Sequence, residues 1–230
     1  ELETLAALAT RLRGEPRIVP AELDHRAGVA ALVEQAGDVD VLVANAGLDA
    51  AEAIDDLSPR ELEQIVAVNL TAPALLAQAL MPAMVARGRG ALVFVSSLAG
   101  KAVTPGNGPL YTATKWGLRG LSLSLRSDLR GTGVASSAIF PGPVSGAGMF
   151  ARTDAPMPAG LSASPVEDVA LAIARSIERG TAEIDVATPT LRYGAKLGPV
   201  LPGLVDAVGH RSNAADARAK MIAVRRDPGA

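Results

Sequence analysis

The chain has 230 residues, enough for one α/β domain with a substantial buried core. Apolar residues make up 49% of it and the formal charge is -2, which argues against an electrostatic nucleic-acid surface. Cysteine is absent, so disulfides and thiolate metal sites are excluded, and a reducing, cytoplasmic setting is the expectation.

The first residues, ELETLAALATRLRGEP, lack the basic start and apolar run of a signal peptide. They open in mid-helix without a methionine, so the expectation is a chain whose front is missing or was removed. From there, apolar β-branched runs alternate with longer segments of helical period. RIVPAEL (17–23), VDVLVANAG (39–47), GALVFVSS (90–97), VASSAIFPG (134–142) and EIDVATP (183–189) read as strands. Helical periodicity covers about 1–13, 25–36, 59–87, 110–131 and 165–179. Nearly continuous apolar strands between helices point to a doubly wound parallel sheet, Rossmann-like, covered on both faces. The richest apolar stretch, APALLAQALMPAMVA, is broken by Gln78 and Pro82 and is not expected to span a bilayer. A single domain over 1–190 and a helical extension over 191–230 are expected.

Two helix starts carry strong local signals. In LSPREL, Ser58 is placed as N-cap, Pro59 at the first helical position and Glu61 to close a capping box, with Leu57 and Leu62 as hydrophobic staple. SPVEDV repeats the pattern with Ser164, Pro165 and Glu167, and Gly180 marks the end of that helix. LSLSL (121–125) alternates like a strand, but Leu118, Leu121, Leu125 and Leu129 form one helical stripe that continues a helix begun near Tyr111.

That helix opens with YTATKWGL, which places Tyr111 one turn before Lys115 on the same face. A phenol serves as general acid when its pKa, ordinarily near 10, approaches working pH, and a neighbouring ammonium favours the phenolate. Tyr-x-x-x-Lys on a helix is thus a sensible proton donor; the alternative is a meaningless surface pair. VFVSSLAG ends a strand with two serines, at the edge where ligands meet open parallel sheets. Ser97 stands fourteen residues before Tyr111, across a loop containing Gly100, Pro105, Gly106 and Gly108 that would return the chain to the same place. VANAG closes the preceding strand with small residues that admit a ligand to the backbone. In VNLTAP, Pro73 has no N–H, which frees the carbonyl of Asn69 in mid-helix to hold a water.

Together these stretches resemble the short-chain dehydrogenase/reductase family, in order from the first helix to about residue 190. The resemblance rests on Asn45-Ala46-Gly47, Asn69, Ser97, the Tyr111/Lys115 pair and Pro141-Gly142. It implies hydride transfer between a nicotinamide cofactor, NADP or NAD, and a carbonyl or alcohol substrate. Tyr111 would be the acid/base, Ser97 would hydrogen-bond the reacting oxygen, Lys115 would lower the tyrosine pKa and bind ribose hydroxyls, and Asn69 would hold a relay water. Glu22, Leu23, Asn45, Ala46, Gly47, Pro141, Gly142 and Val144 would join Tyr111 and Lys115 in contacting cofactor. Dimers or tetramers through the helices carrying Asn69 and Tyr111 are also implied.

The sequence departs from the family pattern twice. The glycine-rich turn that places a pyrophosphate at a helix N-terminus has no counterpart in the chain, so the choice between NAD and NADP stays open. The threonine that usually follows Pro-Gly is replaced in PGPVSGAG by Gly146, with Ser145 beside it. Residues 143–165 read either as a lid over the site or as a plain crossing loop; Met149, Phe150 and Met157 in it would favour an apolar or bulky substrate, with Met149 and Phe150 as contacts alongside Ser97. Beyond 190, Leu197, Val200, Leu201, Leu204, Val205 and Val208 make an apolar band, with Arg192 and Lys196 nearby, suited to packing on protein. A serine hydrolase would need a Gly-x-Ser-x-Gly elbow, which is absent; His25 and His210 read as surface residues, and no metal-ligand cluster is expected. The remaining alternative is a family member that binds a ligand or partner without turnover.

Overall fold

The computed structural model describes residues 14–103, 107–146 and 162–201, together with Thr10, Gly148, Gly203, Ala219, Lys220, Ile222 and Ala223. In chain order the elements are α1 (Arg26–Ala36), β1 (Val41–Ala44), α2 (Pro59–Val66), α3 (Ala72–Arg87) and β2 (Gly90–Val95). There follow α4 (Pro109–Asp128), β3 (Val134–Pro141), β4 (Val144–Ser145), β5 (Ser164–Pro165), α5 (Val166–Arg179), β6 (Glu183–Val186) and α6 (Pro189–Leu197). The main sheet is parallel throughout, in the order β1-β2-β3-β6. This is the expected doubly wound arrangement, because each parallel crossover must carry a helix across one face.

Alternation along the central strands supplies both cores. Leu92 and Phe94 of β2 pack with Leu80 and Met84 of α3 and Leu118 of α4. On the opposite face Val93 and Ile139 meet Val169, Ala172, Ile173 and Ile177 of α5. The Ser58 capping box forms as expected, with Glu61 N–H donating to Ser58 Oγ and Ser58 N–H to Glu61 Oε2 at 2.9 Å. Leu57 and Leu62 share one cluster, and Gly180 ends α5 at φ +59.

Helix Pro59–Arg87 is long and apolar enough by length and composition to cross a membrane, which the sequence reading did not expect. Its buried residues Ile65, Leu76, Leu80 and Met84 pack within the domain, as a core helix does.

Three expectations are corrected. Residues 17–23 form no strand: the Glu22 carbonyl lies so close to α1 that a Cβ on Gly28 would sit 1.8 Å from it. Arg17 donates to Gln35 O, and Leu23 packs beside Val29. Docking on a helix leaves this segment without a ladder partner, and β1 is the sheet edge among the described residues. The second capping box does not form, because Ser164 pairs with Val144 and its N–H donates to Pro143 O at 2.9 Å; Pro165 takes the N-cap position. Finally, the strand expected over 183–189 ends at Val186, and Pro189 starts α6 at its first turn. The expected helix over 1–13 falls, apart from Thr10, outside the described residues, as do Leu204, Val205 and Val208.

Candidate active site

The C-terminal ends of β1 and β2 meet the helices carrying Asn69 and Tyr111, and the four side chains singled out for chemistry converge there. Asn69 lies in a π-helical turn, Ala67–Thr71, between α2 and α3, where the Ala72 N–H reaches back to Ala67 O. The side chain is fully buried and closes on the backbone just after β1. Leu48 N–H donates to Asn69 Oδ1 at 2.7 Å, and Asn69 Nδ2 donates to Leu48 O at 2.9 Å and to Thr114 Oγ1 at 3.3 Å.

Ser97 follows β2 and caps the 3-10 turn Leu98–Gly100, accepting from Ala99 N–H at 3.2 Å. Its hydroxyl shares a hydrogen bond with the Tyr111 phenol. Ser96 faces the other way and donates to Lys115 O at 2.9 Å. The turn sits flush on α4, since a Cβ on Gly100 would be 2.6 Å from Lys115 O. Gly108 plays the same part before Tyr111, where a Cβ would be 2.0 Å from Ala50 O. The sequence places Ser97 and Tyr111 together, and the two glycine contacts are what permit it.

Tyr111 and Lys115 are both buried, 8% and 2% exposed, so the surface-pair alternative fails. Burial pushes the phenol up to about 12; the Ser97 hydrogen bond opposes this rise and the nearby Asp49 carboxylate adds to it. Burial also pulls Lys115 down to about 8, which leaves it cationic at neutral pH. In the chain alone desolvation is the largest influence on the phenol, and Lys115, its ammonium 5.5 Å from the ring centroid, is not among the groups that shift it.

The remaining residues surround this centre unevenly. Lys115 Nζ donates to Val95 O at 3.2 Å, which uses one of its three donors and leaves two for a diol. Gly47 provides the close approach: a Cβ there would lie 3.5 Å from both Lys115 Nζ and Asn69 Oδ1. Next to it, Asn45, Ala46 and Leu23 line an apolar cavity of about 250 Å³ together with Val68, which sequence reasoning did not single out. The rest of its lining is aliphatic, Leu32, Val33, Leu76 and Leu80 among it, and does not include Lys115; the donors that suit a ribose diol are those of Lys115 beside Gly47. Glu22 does not line the cavity; with Asp24 and His25 it makes an exposed ion-pair group, His25 Nδ1 lying 2.7 Å from Asp24 Oδ1. These three offer ligand atoms within 4.8 Å of one another, a grouping not foreseen from the sequence.

Pro141 ends β3 opposite Val186, and Gly142 N–H donates to Val186 O at 2.9 Å, which brings this turn beside α6. Val144 pairs with Ser164, and Ser145 Oγ donates to Ser164 O at 3.4 Å, so β4 and β5 lie side by side. Met149, Phe150 and Met157 lie outside the described residues. Asp49 and Thr114 are additions from the structure: Thr114 is legible as the i+3 neighbour of Tyr111, whereas nothing in the sequence marks Asp49.

A family profile described as short chain dehydrogenase matches residues 1–157. The chain is 35% identical over 206 residues to the ketoacyl reductase HetN of Nostoc sp., covering 85% of this chain and 71% of that protein. It is 39% identical over 151 residues to the NADP-dependent 3-hydroxy acid dehydrogenase YdfG of Salmonella typhi, covering 63% of this chain and 60% of that one. Among solved structures, a metagenomic short-chain oxidoreductase in complex with NADP superposes with TM-score 0.66 at 31% identity, covering 81% of this chain and 82% of that one. The chain belongs to the short-chain dehydrogenase family of NAD(P)-dependent oxidoreductases.

Proposed function

We propose that the chain reduces a neutral, apolar ketone or aldehyde, with Tyr111 as proton donor and NADP as the preferred partner. The observation that carries this reading is buried Tyr111, with Ser97 at its phenol and buried Lys115 one helical turn away. The cofactor, when bound, supplies the hydride. Ser97 hydrogen-bonds the substrate oxygen, and Tyr111 passes its phenolic proton to that oxygen as negative charge develops there. Lys115 stabilises the resulting phenolate and holds the ribose hydroxyls with its two remaining donors. Asn69 clamps Leu48, and its own carbonyl, which Pro73 cannot engage, holds the water that returns a proton.

A phenol pushed up to about 12 stays protonated at neutral pH and so has a proton to donate. Asp49 beside it adds negative charge, which disfavours an anionic substrate. Leu23, Asn45, Ala46 and Gly47 take the adenosine side, and Pro141, Gly142 and Val144 the nicotinamide side. NADP is preferred because a relative at 39% identity is NADP-dependent and a structural neighbour at 31% identity is in complex with NADP. Met149 and Phe150, outside the described residues, are the proposed substrate contacts. Exposed Trp116 and Leu123 on α4 suit an interface between copies, giving a dimer or tetramer. The absence of cysteine suits a cytoplasmic setting. A division into a domain over 1–190 and an extension over 191–230 would fall within α6, whose Leu191 and Ala195 pack on Leu98 and Phe140.

Titration with NADPH and NADH, followed by the fluorescence of Trp116 beside Lys115, tests this. Saturable quenching, tighter for NADPH, followed by turnover of neutral ketones is expected. Absence of binding by either cofactor contradicts the reading.

A further inference from the structure

A charged network lies behind the Ser97 turn, outside the groups assigned to the chemistry. Lys101 follows the turn directly, with its N–H donating to Leu98 O at 2.9 Å. Its side chain is only 7% exposed, and its ammonium lies 2.5 Å from Asp185 Oδ1 and 3.0 Å from Glu183 Oε2, both on β6. It also sits 4.1 Å from the centroid of the Phe140 ring. Glu183 takes a second cation: Arg119 Nε donates to its Oε1 at 2.6 Å and Arg119 Nη2 to its Oε2 at 3.3 Å. Arg119 stands one turn beyond Lys115 on α4. Two carboxylates and two cations thus join the Ser97 turn, β6 and the helix of Tyr111.

Buried pairs of this kind add little net stability, because desolvation offsets the Coulomb gain. Their directional bonds, however, fix one arrangement of the elements they join. Here those elements carry the hydroxyl and the phenol, and the same turn is already seated on α4 through Ser96 Oγ and Gly100. We propose that Lys101, held by Asp185 and Glu183 and linked through Glu183 to Arg119, is a positioning residue that sets the Ser97 hydroxyl against the Tyr111 phenol. This rests on the reading of Ser97 and Tyr111 as the pair that meets the substrate oxygen.

The test compares Lys101→Met with the double variant Lys101→Met/Asp185→Leu. The single change leaves Asp185 as a buried unpaired carboxylate and costs stability; the double change removes that charge and restores folding. With ketone and NADPH, kcat should fall at least ~10-fold in both variants, since small misplacements of reacting groups are costly. The NADPH Kd should stay within ~2-fold of the parent, because none of Lys101, Glu183, Asp185 and Arg119 is among the proposed cofactor contacts. Hydrogen exchange of residues 97–101 should quicken in both, with β2 and β3 unchanged. A double variant that folds and reduces ketone at the parent kcat overturns the inference. If the parent itself shows no turnover, the functional reading fails separately. Exchange then decides this inference: quickened exchange at 97–101 supports it, and unchanged protection overturns it.

Discussion

Asn69 grips Leu48 by both of its backbone groups, accepting from its N–H at 2.7 Å and donating to its carbonyl at 2.9 Å. A side-chain amide here replaces the strand partner that the chain lacks once it leaves β1, and it does so with no exposure to water. The loop carrying Gly47 and Asp49 is therefore fixed to the helix at one residue. Asn69→Leu keeps the branched shape and orphans both Leu48 groups, so stability should fall by roughly 2–4 kcal/mol. Urea unfolding should show this as a lower midpoint at unchanged slope. Cofactor binding should weaken along with it, because Gly47 loses its support.

Lys115 is a site where function opposes stability. Burial pulls its pKa from 10.5 to about 8, so the folded state holds the charge at a cost. The sign follows from proton binding: between about 8 and 10.5 the unfolded chain binds more protons, and stability rises with pH there. Below about 8 the penalty is present in full. Lys115→Met removes the charge but leaves Val95 O without its donor, so the variant should be ~1–3 kcal/mol more stable at neutral pH and inactive. The gain should shrink as pH rises toward 10.5, the pKa of a free lysine. Thermal unfolding at two pH values measures it.

The same two groups shape the rate. Reduction needs a protonated phenol, and a value near 12 keeps it so across the working range. The limb that remains is Lys115, whose charge is lost above about 8. For ketone reduction kcat/KM should be flat through neutral pH and fall above about 8, whereas alcohol oxidation, which uses Tyr111 as base, should rise with pH until Lys115 loses its charge. Asp49→Asn removes a charge that pushes the phenol up, so oxidation should rise at lower pH than in the parent. A pH profile in each direction checks both statements.

Much of this was legible because local and tertiary demands agree. The strand GALVFV is buried almost throughout, and its uniform apolar run says so directly. The Ser58 box and the Gly180 stop need only their own residues, and both form. Ser164 reads identically from sequence, yet a tertiary partner, Val144, takes its backbone first. Segment 17–23 has strand composition, but a strand also needs a neighbour, and the close seat of Glu22 on Gly28 gives it a helix instead. In the site, the Tyr111–Lys115 spacing and Ser97 were readable as a set. The size of the burial effect on Tyr111 was not, since it depends on which groups the fold packs around the phenol. Asp49 and Lys101 were invisible for the same reason: each acts through a neighbour distant in sequence.

The account stands on Tyr111 as the proton donor. The most direct measurement is ketone-dependent loss of NADPH absorbance by the parent and by Tyr111→Phe, with NADPH affinity measured on both. Phenylalanine keeps the buried ring and removes the transferable proton. The variant should bind NADPH as the parent does while its kcat falls roughly a hundred- to ten-thousandfold. A Tyr111→Phe protein that reduces ketone at the parent rate would contradict the account at its centre.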